Sequence, residues 1–293
     1  MDGMLSLGAV LTAIVTPFDA KGQVDEEAFV ALMQHLSEHG SEGFVVCGTT
    51  GEAATLTDEE HLGLIELAVR ERPAGTSVVA GTGSNDTAHA VKLTERSTEL
   101  GVDATLSVTP YYNRPSPLGI RCHYEAVAKA TDRPVLLYNI PIRTGTNIPP
   151  EDLARLAQIE HIDGVKQANG DELGPIDGLT VYSGDDTTFA RTLDFGGAGG
   201  ILVASHIVGD QIARMVSEPQ RRAEIDASLQ DVYKVLFITA SPTATKAALR
   251  MLGRDVGGLR LPLVEATDAE LAEIRSVLAR HGLLSETSAS AHA

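Results

Sequence analysis

The chain has 293 residues, enough for one large domain or two small ones and for a sizeable buried core. Hydrophobic residues make up 43% and charged residues 22%, a balance that excludes a wholly disordered chain. The 23 Lys and Arg against 40 Asp and Glu leave a net charge of −17, which argues against a nucleic-acid surface or an anionic-membrane anchor but leaves room for a local positive pocket.

Residues 1–11 carry no basic region and no convincing cleavage site, and no run approaches the ~20 apolar residues of a membrane span, so a soluble cytoplasmic protein is expected. Short apolar, β-branched runs follow at 10–18, 43–47, 76–81, 104–110, 134–141, 162–168, 179–185 and 199–205, and these read as strands. Helical periodicity fills most of the intervals. Residues 26–39 place Phe29, Leu32, Met33 and Leu36 on one face before Gly40, and 58–72 repeat the scheme with Leu62, Ile65 and Val69 behind the cap Thr57. Helices are also expected at 87–100, 119–130 and 150–157. Strand then helix, about eight times, predicts an α/β fold, a closed (β/α)8 TIM barrel; an open doubly wound sheet is the alternative. The interval between the sixth and seventh strands is too short for a long helix. Beyond residue 222 helices alone are expected, at 223–237, 241–252 and 268–281, so the chain divides into a catalytic barrel (1–222) and a C-terminal helical extension (223–293) with a frayed tail at 285–293. Two cysteines, Cys47 and Cys122, cannot build a disulfide framework, and the apolar flanks of Cys47 mark a buried thiol.

Barrel chemistry gathers at the C-terminal ends of the strands. Those ends supply Thr16, Thr49, Thr50, Glu52, Gly81, Tyr111, Tyr112, Tyr138, Asn139, Lys166, Asp185, Asp186 and Ser205, with Arg143 close behind. Of six lysines, only Lys166 lies within an apolar strand; Lys21, Lys92, Lys129, Lys234 and Lys246 fall in a loop or on helices, where an ammonium can stay in water. Burial favours the free amine, a nucleophile towards carbonyl carbons. The alternative is a buried ion pair of Lys166 with Asp185, Asp186 or Glu52. Phenols nearby suit proton transfer, although Tyr182 reads simply as a core residue. Thr49 and Thr50 could be turn formers, with Gly48 and Gly51 the structural requirement. Arg143 offers a fork-shaped donor to a carboxylate, or is an ordinary exposed arginine. Asp185 and Asp186 lack a third oxygen ligand and read as capping or loop-structuring residues.

Three other motifs carry little. His35-Leu36-Ser37-Glu38-His39 has the spacing of a zinc peptidase motif but closes a helix at the bottom of the barrel, away from the mouth. Gly81-Thr82-Gly83-Ser84-Asn85-Asp86 has Asp where a dinucleotide fingerprint needs its third Gly. Gly196-Gly197-Ala198-Gly199-Gly200 precedes a strand, whereas phosphate loops follow one. No metal and no cofactor are expected.

Five ordered motifs make the chain recognisable: Gly48-Thr49-Thr50-Gly51-Glu52, Thr109-Pro110-Tyr111-Tyr112, Tyr138-Asn139-Ile140-Pro141 with Arg143-Thr144-Gly145, Gly164-Val165-Lys166, and Ser183-Gly184-Asp185-Asp186. Together they resemble the dihydrodipicolinate synthase / N-acetylneuraminate lyase family, from Leu11 to Leu263. The resemblance implies a (β/α)8 barrel with a C-terminal helical region, assembled as a homotetramer, a dimer of dimers. It assigns Lys166 as the Schiff-base lysine that condenses with pyruvate and Tyr138 as the proton shuttle. Thr49 and Tyr112 become relay partners, Tyr112 reaching into a neighbouring subunit. Thr50 and the backbone of Ile201 would hold the pyruvate carboxylate, and Arg143 the carboxylate of the second substrate.

Two threonines before Gly-Glu and the arginine of Arg-Thr-Gly resemble the synthase branch. That branch adds pyruvate enamine to L-aspartate 4-semialdehyde and forms 4-hydroxy-tetrahydrodipicolinate for lysine and diaminopimelate biosynthesis. Sugar-acid or sialic-acid aldolases and dehydratases of the same family are the alternative. A non-catalytic binding protein on the barrel is a third reading, disfavoured because binding needs no relay. Gln167 stands where many synthases have Glu, and Gly200-Ile201-Leu202-Val203 departs from the usual eighth strand. At the family's lysine-effector site His61, Asn85 and Tyr111 match. Asp58 and His89 replace its His and Glu, so loss of that Glu predicts weak or absent inhibition by lysine.

Overall fold

In a computed structural model the structure describes residues 5–284. The frayed tail expected at 285–293 lies outside these residues. Along the chain run β1 (Val10–Ala13), α1 (Glu26–Glu38), β2 (Gly43–Val46), α2 (Asp58–Glu71), β3 (Ser77–Gly81), α3 (Thr87–Glu99) and β4 (Ala104–Val108). Next come α4 (Pro117–Ala128), β5 (Val135–Asn139), α5 (Pro141–Thr144), α6 (Pro150–Leu156), β6 (Ile162–Gln167), β7 (Thr180–Ser183), α7 (Phe189–Asp194) and β8 (Gly199–Leu202). Four helices close the described chain: α8 (Ser205–Ser217), α9 (Arg222–Val235), α10 (Thr243–Met251) and α11 (Asp268–Arg280).

The strands are all parallel, and β8 returns to β1 through Val10 opposite Gly200, Leu11 opposite Ile201 and Thr12 opposite Leu202, so the sheet is closed and the open alternative falls away. Between β6 and β7 stands only a 3₁₀ turn, Gly170–Glu172, as the short interval required. Helix starts follow local chemistry. Asp25 accepts the Ala28 N–H at the head of α1, and Thr57 and Glu60 form a reciprocal capping box on α2.

Period-two alternation sorts each strand into two faces. Inward-facing Leu11, Val45, Val79, Leu106, Leu136, Tyr138, Tyr182 and Ile201 fill the barrel, and Tyr182 is the core residue its context implied. Outward-facing residues such as Phe44, Val46 and Val78 pack under the helices. On β6 Val165 belongs to the outer layer, so its neighbours Gly164 and Lys166 take the inward slots. A lysine thus occupies a position that other strands give to apolar side chains. The C-terminal helices do not stand apart: Ile225, Leu229, Val232, Leu249, Ile274 and Val277 share one core with β1, β2, α1, α2 and α8.

Candidate active site

Tyr138 and Lys166 lie directly opposite each other on β5 and β6. The Lys166 ammonium nitrogen sits 4.4 Å from the centre of the Tyr138 ring, and both side chains are 6% exposed. Among the described residues no carboxylate forms an ion pair with Lys166, so the ion-pair alternative does not hold. Burial, opposed by the charges of Asp186 and Asp185 and aided by Arg143, brings the lysine down to about 8. The free amine is therefore far better populated at neutral pH than that of an ordinary solvent-exposed lysine. Burial pushes the Tyr138 phenol up to about 12, while the Arg143 charge and a hydrogen bond with Thr49 work against the rise.

Asp186, after β7, is buried; its Oδ1 accepts the N–H groups of Val203 and Ala204 at 3.1 and 2.9 Å and so ties the β7 and β8 ends together. Burial raises its carboxyl to about 7. Asp185 caps the next turn by accepting the Thr187 N–H at 2.9 Å, so both residues structure loops as expected.

The turn after β2 holds Thr49, exposed, and Thr50, buried. Its left-handed positions are Cys47 and Glu52, each at φ 55°, not the glycines. Gly51 answers to crowding: a Cβ there would lie 3.2 Å from the Ile14 carbonyl oxygen, whereas at Gly48 it would make only ordinary contact. The requirement read from both glycines therefore narrows to Gly51. Ile201 is buried on β8 beside Leu11. Arg143 is exposed on α5, which Ile140-Pro141 starts and Gly145, at φ 70°, ends. Tyr112, at φ 70°, is 90% exposed. The single chain therefore brings Lys166, Tyr138, Thr49 and Arg143 together and leaves Tyr112 outside.

One expectation fails. Lys246 is not in water; it is fully buried on α10, its nitrogen 2.6 Å from Glu52 Oε1 and donating to the Gly258 carbonyl at 2.7 Å. Its neighbours Thr243, Ala244, Thr245, Ala247, Ala248 and Leu249 are all buried as well, so this helix offers a lysine at 246 no face to solvent. The one sequence signal was the small and apolar Ala244, Ala247, Ala248 and Leu249 around it. Away from the mouth, His39 pairs with Asp210 at the foot of α1. At the effector-site positions Asp58 accepts from His89 and Lys92 at 2.9 and 2.8 Å. The expected loss of a carboxylate is thus an exchange of sides, and these two partners hold Asp58 below the usual carboxylate range.

The described helices include none long and apolar enough to cross a membrane. The model of the dihydrodipicolinate synthetase family matches residues 6–281. The 4-hydroxy-tetrahydrodipicolinate synthase of Synechococcus sp. (strain JA-2-3B'a(2-13)) is 43% identical, covering 98% of this chain and 97% of that one. The enzyme of the same name from Heliobacterium modesticaldum is 44% identical over 95% of this chain and 97% of its own. Among solved structures, the dihydrodipicolinate synthase of Acinetobacter baumannii complexed with pyruvate superposes with a TM-score of 0.91 at 34% identity, over 95% of this chain and 100% of that one. The lysine-bound enzyme of Cyanidioschyzon merolae gives a TM-score of 0.89 at 40% identity, over 95% and 99%. The chain belongs to the dihydrodipicolinate synthetase family.

Proposed function

We propose that the protein is a Schiff-base lyase that condenses pyruvate with L-aspartate 4-semialdehyde to 4-hydroxy-tetrahydrodipicolinate. The observation that carries this reading is a buried lysine, free of any carboxylate partner among the described residues, facing a phenol across two strands. The Lys166 amine attacks the pyruvate C2 carbonyl, and the carbinolamine loses water to give an imine. Loss of a C3 proton yields the enamine, which adds to the aldehyde carbon. The amino group of the second substrate then displaces Lys166, closing the ring and freeing the enzyme.

Tyr138 passes protons to and from the carbinolamine oxygen through Thr49, to which it is hydrogen-bonded. Thr50 and the Ile201 backbone hold the pyruvate carboxylate, and Arg143 offers its guanidinium to the carboxylate of the aldehyde. A second copy completes the relay with the partner's Tyr112, and two such dimers form a homotetramer. The exposure of Tyr112 and Ile142, each 90%, supports a covered surface beside the mouth. The unpaired cysteines suit a cytoplasmic enzyme. Lysine inhibits weakly or not at all, because Lys92 already occupies the Asp58 carboxylate that an effector amine would need.

The test is pyruvate-dependent consumption of aspartate semialdehyde, coupled to the following reductase and read as NADPH oxidation. Turnover that disappears in Lys166→Ala, together with borohydride trapping of pyruvate, is the expected result. Trapping without turnover would move the second substrate to a sugar acid or sialic acid; trapping that persists in Lys166→Ala would overturn the nucleophile.

A further inference from the structure

The Glu52–Lys246 pair takes no part in the condensation chemistry, yet it grips the turn that carries Thr49 and Thr50. Glu52 and Lys246 side chains are both fully excluded from solvent, with 2.6 Å between charged atoms. The second carboxylate oxygen, Oε2, accepts the Arg260 N–H at 3.1 Å. Lys246 also lies 4.3 Å from the centre of the Phe18 ring and donates to Gly258. From the other side, the Glu52 N–H donates to the Thr49 carbonyl at 3.1 Å, and the Thr16 hydroxyl donates to the Gly51 carbonyl at 2.7 Å. The Arg260 guanidinium lies over the opposite end of the same assembly, bound to Gly22, Thr55 and Glu60. A chain of direct contacts therefore runs from α10 through Glu52 to Thr49, and from Thr49 to the phenol over which Lys166 sits.

A buried ion pair stabilises a fold little better than a well-packed apolar pair of the same volume. What an apolar pair would not do is fix this turn. Glu52 holds a left-handed backbone that a non-glycine residue adopts at a cost, and its two carboxylate oxygens are fastened to separate points of the C-terminal region. We propose that Lys246 is a positioning residue for the reaction: through Glu52, the C-terminal helical region holds the Thr49–Thr50 turn in register with Tyr138 and Lys166. This inference rests on the pyruvate-lyase reading of the site. It assigns the C-terminal helices a part in catalysis that their distance along the chain conceals.

The experiment compares the full-length parent with Lys246→Met, Glu52→Gln/Lys246→Met and, as a control, Arg222→Met, which removes the 2.6 Å ion pair to Asp194 on α7. Thermal unfolding, borohydride trapping, kcat and the KM for pyruvate are measured on each. Lys246→Met is expected to lose about 10- to 100-fold in kcat, the scale of a displacement of about 1 Å in a reacting group, with a severalfold rise in the KM for pyruvate. Arg222→Met should lower the unfolding temperature and leave both constants unchanged. If Lys246→Met does not fold, the double variant, which leaves no buried charge unpaired, is the deciding protein: it should fold and still lack the parent's kcat. Parental kcat and KM in either folded variant would overturn the inference. So would losses no greater than those of Arg222→Met. Absence of pyruvate trapping in the parent would instead overturn the catalytic reading, and this one with it.

Discussion

Lys166 and Lys246 are the two buried lysines among the described residues, one at the end of β6 and one on α10. Burial pulls both below the ordinary lysine range. Each nitrogen lies over an aromatic ring, Tyr138 for Lys166 and Phe18 for Lys246, and they part over charge: Lys246 has a carboxylate at 2.6 Å and Lys166 has no ion-pair partner among the described residues. A carboxylate beside a buried ammonium favours its protonated form, which has no lone pair to offer; where none is paired with it, burial shifts the balance towards the free, nucleophilic amine. Burial alone therefore does not make a nucleophile. The absence of a counter-ion at a water-accessible mouth does, and that absence is itself a stored cost at the site.

Removing the nitrogens probes this contrast most strongly. Lys166→Met should abolish pyruvate trapping and turnover while leaving the unfolding temperature unchanged or higher, because it deletes an unpaired buried charge; a markedly less stable variant would mean that Lys166 has a partner after all. Tyr138→Phe keeps the ring beneath the ammonium and removes only the hydroxyl. A fall in kcat of about 10²- to 10⁴-fold is expected, and parental kcat would show that the phenol moves no proton.

Lys246→Met, in contrast to Lys166→Met, strands Glu52 in the interior and should cost about 3–5 kcal/mol in denaturant unfolding. Equal stability of the two methionine variants would erase the difference between a paired and an unpaired lysine. A pH series sharpens it further. With Lys166 near 8, the trapping rate should rise about tenfold per unit at lower pH and flatten above about pH 8; a rate still climbing at pH 10 would return Lys166 to an ordinary lysine. The smallest expected effect is that of free lysine, which should leave turnover unchanged up to low-millimolar concentration in the coupled assay. Inhibition there would show that the Asp58–Lys92 pair yields to an effector.

Much of the site is legible in the amino-acid sequence. Lys166 stands out because it follows Gly164 and Val165 within a short, largely apolar strand, and an inward slot on a closed barrel admits no water from the side. Tyr138 and Arg143 can be placed because strand ends in such folds share one face. The status of Lys246 is not legible from lysine position alone. Helical residues usually reach solvent on one face, and α10 is buried all round only because α8 and α11 close over it. The Cys47 and Glu52 backbones are hidden for a related reason. Their left-handed conformations occur where Cys47 packs closely against Gly81 of β3 and Glu52 is bound to the C-terminal region, while the glycines beside them draw attention.

The amino-acid sequence by itself determined the strand and helix order, the two faces of each strand and the residues gathered at the mouth, since period, capping and turn chemistry are local properties. Closure of the barrel, the partner of each buried charge and the exposure of Tyr112 were decided only by the tertiary structure. Each depends on which residues distant in the chain come within a few ångströms, and local pattern holds no record of that.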